Sequence, residues 1–286
     1  MSGHGVLQVT GADRAEFLHG QLSSDVKGLA AGQYRQALML NHKGHAHAQL
    51  QVLRPGSELL LLIEGGALAQ VTAQLEAHII FDQVELETLS GWRSLTLQGP
   101  RAQEILREAG LEPPTNSNFL QSSDLLLYPN QRSAAGGYDL HGPVEAVTVY
   151  AERLQSAGAV PVSNAALQAA RVEAGVPLAW AEAGEGVLPQ EAGLEFYVSY
   201  TKGCYLGQEI MARIEARGTL RRELVRLKLS GLPAEGERGI TAEGKTVGRL
   251  GTVAVHPEEG VIALAVLRRD VNAELHIGKV EAAVWA

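Results

Sequence analysis

The apolar positions of the chain follow two periods. Apolar runs that are continuous or alternate with polar residues predict strands at residues 6–10, 34–40, 46–53, 58–63, 92–97 and 124–128. Apolar residues three or four positions apart predict helices at residues 13–22, 68–79, 100–110, 144–157 and 163–174. The strands at 34–40, 46–53 and 58–63 follow one another with only short turns between them. This succession indicates an antiparallel meander.

The pattern changes at residue 223. Val225, Leu227 and Leu229 alternate with Arg226 and Lys228, which predicts a half-buried strand. Further strands are predicted at residues 247–255, 261–267 and 280–285. Short strands separated by glycine turns are typical of a small closed or sandwich-like β domain. We therefore predict a domain boundary near residue 221, with domains at 1–221 and 222–286.

Composition narrows the classes of protein to consider. The chain has 286 residues, a net charge of -8 and a single cysteine. The negative charge argues against a broad phosphate-binding face, so we expect no direct contact with nucleic acid. One cysteine cannot form an internal disulfide, which is typical of proteins in the reducing cytosol. The N-terminus lacks a signal-peptide pattern, and no apolar run approaches the length of a membrane span. We expect a soluble, cytoplasmic protein with no membrane partner.

The single cysteine lies in a distinctive stretch, residues 202–209, which read Lys-Gly-Cys-Tyr-Leu-Gly-Gln-Glu. A thiol reacts as the thiolate, and a nearby cation or helix N-terminus lowers its pKa. Lys202 is a candidate for the cation, a predicted helix follows the stretch, and Gly203 and Gly207 permit a tight backbone. The alternative is that Cys204 is a small buried apolar residue. Its neighbours favour a functional thiol, but the lack of a general base nearby in sequence disfavours a protease-type nucleophile.

A second candidate lies at the end of the helix predicted at 163–174. Glu173 stands near the partially negative C-terminus of that helix, which is a poor position for a carboxylate. A buried glutamate there can accept two hydrogen bonds from the N–H pair of a pterin-like ring, and Arg171 lies beside it. A solvated helix end explains the same pattern, and the spacing alone favours that explanation.

Three groups of polar residues give weaker signals: they are the glutamates Glu182, Glu185 and Glu191, the histidines His42, His45 and His47, and the arginines Arg217, Arg221 and Arg222. The glutamates lie in a glycine-rich segment, residues 181–193, which we predict to be an exposed loop with solvated carboxylates. The histidines have a spacing found in metal sites, but no thiol or carboxylate completes the set, so we predict no bound metal. The arginines fit either salt bridges at the domain junction or the binding of an anionic tail, such as that of a glutamate-conjugated ligand.

The stretch 202–209 is the signature of the YgfZ family, which the chain resembles over essentially its whole length. Within it, Gly203, Tyr205, Gly207, Gln208 and Glu209 accompany Lys202 and Cys204. Supporting matches are Gly11-Ala12-Asp13, Phe17-Leu18, residues 21–26, Asn41 with Lys43-Gly44, residues 171–177, residues 188–191, Val247-Gly248 and residues 263–267. YgfZ proteins are folate-binding proteins of iron–sulfur cluster assembly or repair. They are related to the aminomethyltransferase (T protein) of glycine cleavage.

This resemblance implies an α+β fold of the aminomethyltransferase type, with two ferredoxin-like lobes and a C-terminal β barrel around a central channel. It implies tetrahydrofolate or a derivative in the channel, with Glu173 contacting the pteridine and with Arg171 and Trp180 as further folate-binding candidates. Cys204, with Lys202 beside it, matches the cysteine on which the family's activity is thought to depend. The implied role is the maintenance of iron–sulfur enzymes, including those that thiolate tRNA, with iron–sulfur client or assembly proteins as partners. We expect the protein to be a monomer.

Two alternatives stay open. A folate-dependent aminomethyltransferase needs a carboxylate beside the folate nitrogen, in the segment after the third strand. Residues 65–67 are Gly-Gly-Ala, and no aspartate precedes Asp82 in this segment. The other alternative is a binding module without chemistry, in which folate is a structural ligand or sensor. The chain also departs from the family at His42 and His45, where proline and arginine are common.

Overall fold

Two open sheets and a closed barrel organise residues 4–122 and 125–285, which are the residues that the computed structural model describes. The sheets belong to two α+β lobes, and the barrel follows them in the chain. A group of short helices lies between the second lobe and the barrel. The signature stretch belongs to this connecting region.

The first lobe contains a five-stranded antiparallel sheet with the order β2-β3-β4-β1-β5. Its elements are β1 (Gly5–Thr10), α1 (Arg14–Gln21), β2 (Tyr34–Leu40), β3 (Ala46–Leu53), β4 (Leu59–Ile63), α2 (Leu68–Glu76) and β5 (Glu85–Thr88). Strands β2, β3 and β4 form the predicted meander, and Gly44 closes its first turn at a φ of 75°. One face of the sheet packs against both helices around buried residues such as Leu7, Leu50 and Leu61.

The second lobe contains a four-stranded antiparallel sheet with the order β6-β9-β8-β7. Its elements are β6 (Trp92–Gln98), α3 (Ala102–Glu108), β7 (Leu120–Ser122), β8 (Leu125–Pro129), β9 (Gly137–Pro143) and α4 (Val144–Ser156). Both helices contribute to one apolar cluster with the sheet, through side chains such as Leu106 and Leu154. Asp124, the first residue of one predicted strand, lies outside the described residues.

The same strand order appears in both lobes. The first strand lies beside the strand that precedes the second helix, so β1 pairs with β4 and β6 pairs with β9. In the first lobe, β5 follows the second helix and pairs with β1, which completes the ferredoxin-like arrangement; among the described residues, the second sheet has no strand after α4. The predicted α+β fold with two lobes is confirmed. An apolar cluster that includes Leu53 and Leu62 of the first sheet and Tyr128 of the second packs the lobes together.

The connecting region begins with α5 (Asn164–Glu173) and α6 (Ala179–Glu182). A 3-10 helix (Glu195–Tyr197) follows, and α7 (Gln208–Arg217) begins directly after the signature glycine, Gly207. Ser163 caps α5, because its hydroxyl oxygen accepts a hydrogen bond from the Ala166 N–H at 3.1 Å. Helix α7 ends at Gly218, which adopts a left-handed conformation that glycine readily permits.

The C-terminal strands close into a barrel with the order β10-β13-β12-β11-β14-β15. They are β10 (Arg222–Leu229), β11 (Gly239–Ala242), β12 (Lys245–His256), β13 (Gly260–Arg268), β14 (Leu275–Ile277) and β15 (Val280–Trp285). Pairing of β10 with both β13 and β15 completes the closure. The predicted closed β domain is confirmed, while the exact boundary at residue 221 stays a prediction.

Several elements differ from the prediction. Strands β5, β7, β9, β11 and β14 and helix α6 have no predicted counterpart. Strand β5 is mostly exposed, and β9 places the polar residues Asp139 and His141 at buried positions. The segment 181–193 is not an exposed loop. Its buried residues include Val187 and Ala192 as well as two of the glutamates predicted to be solvated. Charge pairing, which an isolated sequence segment does not show, permits this burial.

His141 is fully buried in the sheet of the second lobe. Its Nδ1 lies 2.8 Å from the Ser94 hydroxyl, and its Nε2 lies 2.9 Å from the Tyr128 hydroxyl. Burial lowers the pKa of His141 to about 3, against the opposing effect of the Asp139 carboxylate. The imidazole is therefore neutral in the folded protein throughout the physiological pH range.

This burial predicts a loss of stability in mild acid. Between the ordinary histidine pKa of about 6.5 and the folded value, only the unfolded chain binds a proton at this position, so the free energy of unfolding falls by about 1.4 kcal/mol per pH unit. Urea unfolding of the protein and of His141→Gln between pH 6 and pH 4.5 measures this contribution. Over that pH interval, the free energy of unfolding of His141→Gln should fall by about 2 kcal/mol less than that of the unmodified protein. His78→Gln, which changes an exposed histidine, serves as the control. Equal pH dependence in all three proteins would contradict the prediction.

Candidate functional site

Lys202 fixes the start of the signature stretch against helix α1. Its ammonium group donates to the carbonyl oxygens of His19, Leu22 at 2.7 Å and Ser24 at 3.2 Å. Carbonyl groups at the end of a helix lack partners within the helix and carry partial negative charge. The lysine side chain satisfies these acceptors, so the loop is held on α1 by its first residue.

The environment of the Lys202 ammonium combines burial with an aromatic ring. Burial lowers the pKa of Lys202 to about 8, and the Asp25 carboxylate opposes this shift. The ammonium nitrogen lies 4.6 Å from the ring centroid of Tyr205, a cation–π distance. Tyr205 is itself buried, and burial raises the pKa of its phenol to about 12. The buried side chains of Lys202 and Tyr205 therefore anchor the loop to the protein interior.

Gly207 brings the loop into contact with the first meander turn. Its φ is 84°, and a Cβ at this position would lie 2.7 Å from the carbonyl oxygen of Asn41. Both observations exclude a larger residue without a shift of the backbone. The Leu206 N–H donates to the carbonyl of Gly20 at 3.2 Å, which adds a further contact with the end of α1.

Cys204 is exposed on this fixed loop. The alternative of a small buried apolar residue is therefore excluded, and the side chain is accessible. The adjoining Gly203 faces helix α1, since a Cβ at Gly203 would lie 3.7 Å from the Nε2 of His19. The Nδ1 of His19 lies 3.3 Å from a carboxylate oxygen of Asp25. Tertiary structure thus places a titratable group beside the loop that its sequence neighbours do not supply. Activation of the thiol by Lys202 stays a prediction.

The last two signature residues start helix α7. Glu209 lies in its first turn, where a carboxylate is favoured by the partial positive charge of the helix N-terminus. Its oxygen accepts a hydrogen bond from Arg213 at 2.7 Å on the exposed surface. Gln208 is the first residue of the helix.

Arg171 is buried and bonded within the protein. Its guanidinium donates to the carbonyl of Val176 at 2.5 Å, to the Thr252 hydroxyl and to Glu182, whose carboxylate oxygen lies 3.4 Å away. Glu182 also accepts hydrogen bonds from the N–H groups of Leu178 at 2.6 Å and Thr252 at 2.9 Å. The prediction that Glu182 is solvated is therefore wrong. This carboxylate joins α5 and α6 to barrel strand β12.

Glu173 and Trp180 lie at the surface. The Glu173 carboxylate is about half exposed and stands 3.7 Å from the Nε2 of His256. This position agrees with a solvated helix end and not with a buried glutamate. The Trp180 side chain is 52% exposed and lies over Gly65, just after strand β4. A common channel for Cys204 and Glu173 stays a prediction.

The remaining polar groups act mainly as structural contacts. Glu191 is buried and forms a salt bridge of 2.9 Å with Arg222, which selects the junction role for this arginine and corrects the prediction of a solvated Glu191. The Arg217 side chain lies outside the described residues. His47 stands 3.2 Å from both the Asn41 and Gln74 side-chain amides. Across residues 4–122 and 125–285, no three His, Cys, Asp or Glu side chains are grouped to hold a metal ion.

A polar network connects the first sheet, the second lobe and the connecting region. The Tyr197 hydroxyl accepts hydrogen bonds from Gln49 at 2.6 Å and Gln36 at 3.4 Å. Gln49 in turn accepts from the Ala179 N–H at 2.8 Å, and Gln36 donates to Asn130 at 3.4 Å. The sequence contains a signal for this network, because glutamines interrupt the apolar runs of β2 and β3 on one face.

Glu64 supplies a carboxylate that the sequence pattern does not single out. It directly follows β4 and lies in the segment where one-carbon transfer was expected to need such a group. Its oxygens accept hydrogen bonds from Arg132, at 3.1 and 3.2 Å, and from Gln51 at 3.0 Å. The guanidinium of Arg132 also binds Asp139 at 2.5 Å. The Glu64 charge is therefore compensated inside the protein.

Two known protein families match this chain, one at each end. Residues 1–124 match the family model of the GCVT N-terminal domain, and residues 221–286 match that of the CAF17 C-terminal β-barrel domain. The tRNA-modifying protein YgfZ of Yersinia pseudotuberculosis is 28% identical over 281 residues, which covers 94% of this chain and 83% of that protein. The resemblance to the YgfZ family is confirmed. An aminomethyltransferase of Caldanaerobacter subterraneus subsp. tengcongensis is 29% identical over 265 residues, which covers 87% of this chain and 70% of that protein.

A solved structure shows the same fold. The glycine cleavage system aminomethyltransferase T from Bartonella henselae matches with a TM-score of 0.84 at 23% identity, covering 99% of this chain and 82% of that chain. The expected aminomethyltransferase-like fold is confirmed. In the part of the chain that the structure describes, no helix is both long and apolar enough to cross a membrane.

Removal of the Lys202 ammonium should destabilise the protein. Lys202→Met leaves the carbonyl groups at the end of α1 without their donor, at a cost of about 2–4 kcal/mol in the free energy of unfolding. Lys245→Met, which changes an exposed lysine of the barrel, is the matched control and should change stability by less than about 0.5 kcal/mol. Chemical unfolding at pH 7 measures both. Similar stability of the two variants would show that the hydrogen bonds of Lys202 to the end of α1 are not needed for the fold.

A pair of glycine variants separates backbone strain from steric conflict. Gly207 and Gly186 both have a positive φ, but only a Cβ at Gly207 would meet backbone atoms. We expect Gly186→Ala to cost about 1 kcal/mol from the left-handed conformation alone. Gly207→Ala should cost about 1–3 kcal/mol more, because the loop must also move away from Asn41. Urea unfolding compares the two variants, and equal losses would contradict the close approach at Gly207.

Proposed function

We propose that the protein binds tetrahydrofolate and supports the assembly or repair of iron–sulfur clusters in client enzymes, including tRNA-modifying ones, with Cys204 as its functional thiol. The observation that carries this proposal is the accessible Cys204 on a loop whose flanking residues Lys202 and Gly207 are fixed by the first lobe. A rigid support with an exposed thiol suits contact with a partner or its cluster. The similarity to YgfZ proteins supports the same role.

A single thiol sets limits on how a cluster is handled. Iron–sulfur clusters are held by several cysteine thiolates, commonly four. This chain has one cysteine, so a cluster in contact with Cys204 is a cargo shared with a partner protein. The thiolate is a soft ligand that suits iron–sulfur clusters. The proposed partners are therefore iron–sulfur client or assembly proteins, and we propose a monomer acting in the cytoplasm without direct nucleic-acid contact.

The polar network offers groups that fit a folate pterin. Gln51 is fully buried, and its side-chain oxygen has no hydrogen-bond partner among the described residues. A buried acceptor of this kind suits an N–H donor of a pterin ring. The exposed indole of Trp180 and the half-exposed carboxylate of Glu173 offer further contacts. Arg171 fits less well, because its guanidinium is already bonded to Val176, Thr252 and Glu182.

One-carbon transfer of the aminomethyltransferase type has less support. The sequence similarity to an aminomethyltransferase favours it. Glu64, however, is bound by Arg132 and Gln51 and is not a free carboxylate for the reacting centre. We therefore prefer a role in iron–sulfur cluster maintenance, with folate as the ligand.

Complementation of a deletion strain tests the role of the thiol. Cys204→Ala should leave the fold intact, because the side chain is exposed, and should reduce iron–sulfur enzyme activity to that of the deletion strain. Glu215→Gln changes an exposed residue of α7 outside the signature and should restore activity as the unmodified protein does. Immunoblotting confirms equal amounts of the three proteins.

Two outcomes would overturn the proposal. Full restoration by Cys204→Ala would favour a binding module without thiol chemistry. Formation of methylenetetrahydrofolate from an aminomethylated carrier protein would favour the transferase.

A further inference from the structure

A cavity of about 390 Å³ lies at the free edge of strand β2. Its walls come from the start of β2, from Ser24 and Asp25 after α1, from Ser117, and from the segment that leads to the signature loop. The volume lies within the range of small-molecule sites, roughly 300–1,000 Å³. Gln36 and Tyr197 line this cavity and also belong to the central polar network. The cavity therefore adjoins the proposed pterin region.

Arg35 is the cationic side chain of this cavity, and it differs from the other central arginines. Arg132 and Arg171 are bonded to carboxylates and carbonyls within the protein. The Nε of Arg35 is buried and has no hydrogen-bond partner within residues 4–122 and 125–285. A guanidinium presents several donors in a plane that matches a carboxylate. Arg35 lines the cavity, so its terminal N–H groups can bind a carboxylate ligand, whereas its buried Nε is not itself accessible.

The charges around the cavity favour a carboxylate. Asp25 also lines the cavity, but its oxygens already accept a hydrogen bond from the Gly28 N–H at 3.1 Å and lie 3.3 Å from His19. The Lys202 ammonium is bound to the carbonyl of Ser24, next to Asp25, at 3.2 Å. The Asp25 carboxylate also interacts electrostatically with the Lys202 ammonium. Its charge is therefore partly offset by Lys202, and Arg35 is left as the cation that faces a ligand in the cavity.

Phe196 adds an aromatic surface at the same cavity. Its ring is 63% exposed and lies 4.3 Å from the ring of Tyr197, measured between centroids. The Ser23 hydroxyl donates to the carbonyl of Tyr197 at 2.7 Å and fixes this part of the backbone. An exposed ring on a fixed support suits contact with an aryl group of a ligand.

We infer that this cavity receives the p-aminobenzoylglutamate part of a folate, with Arg35 binding a glutamate carboxylate and Phe196 contacting the aryl ring. The inference rests on the proposed folate binding. The pterin lies in the adjoining polar network, and the tail follows Gln36 and Tyr197 outward to the edge of β2. Hydroxyl groups of Ser117 and Thr201 in the cavity wall supply polar contacts for the amide and the second carboxylate.

Calorimetric titration with two ligands tests this assignment. Tetrahydrofolate carries the tail, whereas 6-methyltetrahydropterin does not. Arg35→Gln should weaken tetrahydrofolate binding about 10- to 100-fold, the usual effect of losing a hydrogen-bonded charge pair. It should leave the affinity for 6-methyltetrahydropterin unchanged, and Arg35→Lys should recover part of the loss. Arg93→Gln, at an exposed position of β6, is the control and should bind both ligands as the unmodified protein does.

Each other outcome has a distinct meaning. Equal weakening of both ligands by Arg35→Gln, with a lowered melting temperature, would assign Arg35 a structural role and overturn the inference. Unchanged tetrahydrofolate binding would also overturn it, since the tail would then lie elsewhere. Failure of the unmodified protein to bind either ligand would overturn the proposed folate binding itself, and the inference with it.

Discussion

Pairing of buried charges joins the parts of the molecule. Arg132 of the second lobe binds Glu64 of the first lobe and Asp139 of its own sheet, and all three are buried. Arg171 and Glu182 form a second buried pair, which joins α5 and α6 to the barrel. A buried charge without its partner is strongly destabilising. The lobes and the barrel are therefore restricted to arrangements in which every one of these charges keeps its partner.

Buried charge pairs also explain why the connecting region is packed inside the protein. A segment rich in Gly, Ala and Glu would ordinarily form a solvated loop, but here its carboxylates are bonded inside the protein. The signature loop that follows rests on the end of α1 and on the first meander turn. Two sites consequently meet in one region, an accessible thiol on the loop and a polar cavity at the edge of β2. Their proximity to the same helix end connects the proposed folate site with the proposed site of cluster chemistry.

Much of the fold could be predicted because its signals are local. The bounds predicted for β2 and β3 agree with the structure, since both strands are apolar runs ended by turn residues. Strand β9 could not be predicted in this way. Asp139 and His141 give it a polar pattern, and only their partners across the sheet explain their burial. Predictions from periodicity fail where tertiary bonds replace apolar packing.

The site was predictable only in part for the same reason. The signature identified the loop around Cys204, because its residues are contiguous in sequence. The partners of Lys202 and the free bonding capacity of Arg35 depend on segments that meet only in the folded chain. Glu64 follows an apolar strand like any residue of a turn, and its importance appears only when Arg132 is placed beside it.

The Lys202 anchor has a consequence for the order of folding. Its contact with His19 joins residues 183 positions apart, and the Ser23 contact with Tyr197 spans 174 positions. Contacts of such high sequence separation carry a large loop-closure cost and cannot form until most of the chain has been synthesised. The first lobe can assemble its meander early, from neighbouring strands. Cys204 reaches its fixed position only when the signature loop docks on the first lobe, which has already folded. A truncated or incompletely folded chain therefore does not hold the thiol in that position.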